Sequence, residues 1–240
     1  MLTRLFVSLL VVTSFSSLAA DPCAGLPTHA QLKAALTAAR AQDNGGFNLD
    51  MWGTIVSRTG EVCAVAFTGK DAGAQWPGSR VISAQKANTA NAFGLPGLAL
   101  ATANLYSAVQ PGGSLFGLQE SNPVDVHVAY AGPASAFGQP KDPMVGKRIG
   151  GVNVFGGGLA LYNKAGEIIG AVGVSGDSSC ADHAIAWRVR NTLELDYVPG
   201  GVGANGVDQI TFTGGWSQPH CKDAAAEDAV VKALPATRKK

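Results

Sequence analysis

Two groups of side chains in this chain have the types and spacing to hold a ligand. Ile82, Lys86, Thr89 and Phe93 recur at intervals of four, three and four, which places them on one helix face. Phe93 can stack on a flat molecule, Lys86 can meet a carboxylate and Thr89 can offer an oxygen. The same stripe equally fits a core face whose Lys86 snorkels to water. The second group is His183, Trp187 and Arg190 at i, i+4 and i+7. An imidazole, an indole and a guanidinium on one face suit a planar anion. A helix face packed on a sheet, with a cation–π contact and no ligand, is the favoured account of this triplet.

The elements that must position these groups centre on Gly150 to His183. Leu159–Tyr162 and Ile168–Val174 are apolar strand candidates joined by Asn163-Lys164-Ala165-Gly166, with Gly166 supplying the positive-φ position of a hairpin loop. Neither face of the second strand is polar, so both are expected to be covered. The chain leaves through a Gly-rich exit, Ser175-Gly176-Asp177-Ser178-Ser179, and Ser179 with Asp182 resembles a capping box at the start of a helix. Unpaired N–H groups at such a start attract anions, although a plain capped turn is the commoner meaning.

Upstream, Thr28 with Gln31 predicts a capped helix carrying Leu32, Ala35, Leu36 and Ala39. Trp52–Ser57 and Val62–Phe67 predict a second hairpin, in phase with the first, and the two can share one antiparallel sheet. Ser79–Phe93, closing on Gly94, reads as a helix, and a shorter one is expected from about Gly97 to Val109. Within an unusual stretch from Phe116 to Met144, Val124, Val126 and Val128 alternate with Asp125 and His127, which predicts an added short strand. His127 is then a candidate metal or axial ligand, against the commoner meaning of a solvated strand residue. Beyond Tyr197 a Gly-rich, then Ala-rich extension offers at most one further strand.

Met1 to Ala20 reads as a secretory signal: Arg4, an apolar core from Leu5 to Val12, and small residues leading to a cut between Ala19 and Asp21. With no other long apolar run free of glycine, the mature protein is expected to be exported, secreted or periplasmic, with no membrane partner after signal removal. Eighteen Lys and Arg against seventeen Asp and Glu argue against a nucleic-acid partner. Four cysteines in such a chain imply two disulfides. Three pairings are open. Cys23 with Cys63 and Cys180 with Cys221 is favoured because it ties both ends back to the core. A zinc site made of His29, His127, His183, His220 and these thiols would need chance convergence.

Ordinary catalysis is not legible. Gly173-Val174-Ser175-Gly176-Asp177 lacks the final glycine of a nucleophile elbow. Glu120, Asp125, Asp177 and Asp182 are scattered, and no nucleotide-binding glycine motif follows a strand.

The order Gly150-Gly151-Val152-Asn153-Val154-Phe155, then a hairpin ending Gly166-Glu167-Ile168-Ile169-Gly170-Ala171-Val172-Gly173-Val174-Ser175-Gly176, then a helix with Asp182, resembles the haem-binding GlcG/HbpS-like family, related to the PduO C-terminal domain. Gln85-Lys86-Ala87-Asn88-Thr89-Ala90 matches that family's Thr-containing helix. The resemblance runs from about Thr28 to Leu195. It implies an α/β fold with a central antiparallel sheet of about five strands and helices on its faces. The domain would span residues 21–196, with an insertion near 117–147 and a C-terminal extension over 197–240. The resemblance also implies a tetrapyrrole cofactor, haem above all, and a homo-oligomer. Thr89 and, more loosely, Lys86 take the family's ligand-lining role, and the full expected site is Lys86, Thr89, Phe93, Gly176 and His183. Some relatives degrade haem, which leaves an enzymatic role open. The alternative is a structural or sensory assembly module that binds a small organic acid or no ligand.

Overall fold

Thr28 opens helix α1 (His29–Arg40) with the capping box: its hydroxyl accepts from Gln31 N, and the Gln31 side chain accepts from Thr28 N. Leu32, Ala35, Leu36 and Ala39 form its buried stripe. The protein is described by a computed structural model covering residues 20–239. The expected secretory segment, apart from Ala20, lies outside the described residues.

Both hairpins form where the apolar runs predict them. Strands β1 (Trp52–Ser57) and β2 (Val62–Phe67) make one, and β3 (Gly158–Tyr162) and β4 (Ile168–Ser175) the other. They join antiparallel through β1 and β4, with Trp52 opposite Ser175 and Ser57 opposite Gly170. The sheet order is therefore β2-β1-β4-β3, four strands rather than five. The strand expected at Val124–Val128 is a short helix, α4 (Val126–Ala129). Its cause is Asp125, whose carboxylate accepts from His127 N and Val128 N and so offers the backbone a helix cap in place of a ladder. Helix α3 is likewise shorter than expected, Thr102–Leu105 followed by a single tight turn at Ser107–Val109. Gly97 has a φ of 81° and Leu95 pairs with Leu98, so the chain turns before a helix can start there. The extension forms isolated bridges and ends in helix α6 (Ala224–Ala233).

Both faces of the sheet are covered, as the apolar strand β4 requires. Helix α2 (Ser79–Phe93) packs on one face, and α1 with α5 (Ser179–Thr192) on the other. A Cβ at Gly173 would run into Ser83 O, and one at Gly158 into Lys86 O, so these glycines let α2 lie directly on the strands. Thr54 and Ser83 hydroxyls, 2.8 Å apart, pin the same contact. The larger core lies between sheet, α1 and α5, around Leu32, Leu36, Ile55, Val172, Val174 and Ile185.

The insertion and the segment that follows α5 close the two sheet edges. Val62 N donates to Lys147 O at 2.8 Å beside β2, and Tyr162 N donates to Leu195 O at 2.8 Å beside β3. Buried Arg80 clamps the insertion to α2 through Asp142 and Ala129 O. Arg190 holds the extension through both oxygens of Asp208, at 2.6 and 2.7 Å. Disulfides Cys23–Cys63 and Cys180–Cys221 are the favoured pairing.

Candidate functional site

The close seating of α2 carries Lys86 into the interior. Its ammonium donates to Asp182 Oδ2 at 2.7 Å and to Val174 O at 3.1 Å, and lies 4.8 Å from the Phe155 ring centroid. Neither member of the pair reaches solvent. Burial holds Lys86 below its ordinary pKa and pushes Asp182 up to about 6 against the pull of Lys86. Asp182 also accepts from Asp177 N at 2.9 Å. That inward commitment explains why the cap of α5 is Ser178 instead of Ser179: the Ser178 hydroxyl accepts from Ala181 N.

Thr89 is fully buried and its hydroxyl is engaged twice, donating to Gln85 O and accepting from Asn153 N at 2.9 Å. Phe93 packs on the cluster of Leu100, Leu105, Val109, Val152 and Val154. A Cβ at Gly176 would strike Asp50 O, so this glycine permits a close backbone crossing. Buried His183 accepts from Ile210 N at 3.1 Å through Nε2, and burial lowers its pKa to about 3. Its ring stands 6.0 Å from Trp187, over which Arg190 sits at 4.8 Å, in the packed arrangement favoured for this triplet. Lys86 and His183 thus lie beside neighbouring turns of α5, while Thr89, Phe93 and Gly176 point elsewhere. The five do not converge on one cavity. Direct ligand contact by Thr89 or His183 would require these hydrogen bonds to break.

What Thr89 and its neighbours do is fix the segment that carries Phe155. The Thr102 hydroxyl donates to Phe155 O at 2.7 Å and accepts from Gly158 N, and Gly156 N donates to Gln218 Oε1 at 2.8 Å. Phe155 is thereby held over Lys86. It also lines a cleft of about 420 Å³ with Tyr106, Ser178, Ser179, Gln218 and His220. Sequence reasoning had no pattern for Tyr106 or Gln218. His220 had a usable signal, because pairing Cys221 with Cys180 must bring residue 220 to the first turn of α5.

Two other cavities bear on the choice. One of about 320 Å³ is polar, with Arg40, Asn44, Asn48 and Asp177 in its walls. A groove of about 590 Å³ runs past Trp187, Gln209, Val231 and Pro235, and no histidine, tyrosine, cysteine or methionine lines it. His127 is exposed. Among the described residues Cys180, Cys221 and Glu227 lie close enough to share an ion, but both sulfurs are spent in the disulfide. No helix among the described residues is long and apolar enough to cross a membrane.

A family profile described as haem degrading protein HbpS-like matches residues 28–190. The match ends before the extension that supplies Gln218 and His220. Among solved structures, one of a PduOC:heme complex is 26% identical and covers 68% of this chain and 89% of its own, with a TM-score of 0.47. Klebsiella pneumoniae protein ORFY is 24% identical over 77% of this chain and 97% of its own, with a TM-score of 0.45. A double mutant of Streptomyces reticuli HbpS is 16% identical over 78% and 98%, also at 0.45. No curated protein matches the chain.

Proposed function

Because this chain belongs to the HbpS-like family, we propose that it is an exported protein that binds haem or a related tetrapyrrole in the cleft at the start of α5. The observation that carries this is the donor set of that cleft: aromatic Tyr106 and Phe155 beside the His220 imidazole, the Ser178 and Ser179 hydroxyls and the Gln218 amide. Flat apolar walls with a few convergent polar groups are the usual make-up of a cofactor site, and its volume falls within the usual span of about 300–1,000 Å³. When bound, haem would supply an iron that takes a protein ligand, a broad apolar ring and carboxylate arms. The residues present fit the ring and the iron: Tyr106 and Phe155 offer ring faces and His220 an imidazole, whereas no lysine or arginine lines the cleft and the N–H groups of Cys180, Ala181 and Asp182 are already engaged.

In this proposal the five residues expected from the sequence act behind the ligand. Lys86 with Asp182 supports Phe155 from beneath, Thr89 fixes Asn153, and Phe93 packs on Val152 and Val154. Gly176 and His183 set the path of the exit loop and the seat of α5. Two disulfides accord with an oxidising compartment. Exposed Phe47 and Trp76, packed edge to face at 6.2 Å, support a homo-oligomer. Titration of the oxidised protein with haemin, followed by visible absorption, tests the proposal. A saturable Soret shift at about one haem per subunit supports it, and purely nonspecific association refutes it.

A second reading, an assembly module that takes a small organic acid, would place the acid in the polar cavity beside Arg40, Asn44 and Asn48, whose walls also carry Asp43 and Asp177. Thermal stabilisation by small carboxylic acids without any haemin response would select it.

A further inference from the structure

We infer that His220, from the C-terminal extension, is the side chain that ligates the iron of a tetrapyrrole in this cleft, with Asp228 as its orienting partner. The inference rests on the tetrapyrrole reading above and adds a residue outside the segment matched to the family, residues 28–190. Of the four histidines, His183 is sealed in the core, His127 stands exposed on α4 and His29 bonds Gly138 O through Nε2 at 2.9 Å, whereas His220 lines the cleft.

The His220 ring is held as a ligating imidazole is usually held. Nε2 lies 3.0 Å from Asp228 Oδ1, and the ring stacks on Phe212 at a centroid distance of 3.8 Å. A carboxylate on one ring nitrogen fixes the tautomer, stiffens the ring and makes the other nitrogen a better donor. Nδ1 has no hydrogen-bond partner among the described residues and is the atom left for a metal. The Cys180–Cys221 bridge anchors the neighbouring residue against α5, and the side chain remains 31% exposed, open to an incoming group.

The test is resonance Raman spectroscopy of the ferrous haem complex, with affinities from haemin titration of the same proteins. Wild type should show an iron–imidazole stretch, and His220→Ala should lose it and regain it with added imidazole. Asp228→Asn should shift the stretch downward and weaken haemin binding by about tenfold. A stretch that persists in His220→Ala, or a wild-type complex with no imidazole stretch, overturns the assignment while leaving the cleft reading standing. Failure of wild type to bind haemin overturns the functional reading itself, and this inference with it.

Discussion

Replacing Lys86 by Met while leaving Asp182 in place strands a carboxylate in the core. Both side chains are at most 2% exposed, and the ammonium supplies Asp182 Oδ2 with its 2.7 Å partner. Breaking one side of such a pair costs about 3–5 kcal/mol, because the remaining charge keeps its desolvation cost and loses its attraction. The double variant Lys86→Met with Asp182→Asn removes both charges and keeps an oxygen for Asp177 N, so it should fall within about 2 kcal/mol of wild type. Urea unfolding of the four proteins, disulfides intact, reads the coupling directly. The pH dependence supplies a second reading. Burial already raises the Asp182 carboxyl to about 6, so its share of stability is complete below about pH 4 and is lost as pH rises through 6. Without Lys86 that pKa climbs further, and the Lys86→Met deficit should shrink at pH 5 relative to pH 8. Additive single losses of under about 1 kcal/mol, the value typical of exposed pairs, would refute the reasoning, as would a deficit independent of pH.

Thr89→Ala orphans Asn153 N and should cost roughly 1–2 kcal/mol in urea unfolding, with weaker haemin binding as the Phe155 segment loosens. Unchanged affinity would detach Thr89 from the site. His183→Gln should flatten the acid limb of the stability curve. The neutral ring, with its pKa lowered to about 3, stabilises the fold above the unfolded value of 6.5 and loses that effect as pH falls. Between about pH 7 and 4 the wild type should lose roughly 3 kcal/mol through this ring, seen as a falling midpoint in urea. Gly173→Ala sets a methyl group against Ser83 O and should destabilise by about 1–3 kcal/mol, the cost of an overpacked core, checked by the thermal midpoint.

Much of the frame is written locally, and the site is not. Thr28 with Gln31, the two hairpin loops and Gly94 after Phe93 are near-neighbour signals, and α1, α2 and all four strands follow from them. Asp125 shows the limit of periodicity: alternation from Val124 to Val128 suits a strand, but one carboxylate accepting two N–H groups makes a helix turn. The face shared by Lys86, Thr89 and Phe93 was legible, but which side of α2 would meet the sheet was decided by Gly158 and Gly173, far along the chain in the second hairpin. A buried lysine and a ligand-facing lysine look alike in sequence. The cleft is assembled from Tyr106, the Phe155 segment, the α5 start and Gln218 with His220, and only the disulfide links two of these in advance.

Amide hydrogen exchange with and without haemin tests the placement of the site most directly, since it needs no substitution. Protection on binding should be confined to residues 104–107, 153–156, 178–181 and 216–221, the walls of the cleft and their immediate neighbours. Protection along residues 40–49, or in the groove past Trp187 and Val231, would contradict it and move the ligand to another face of the molecule.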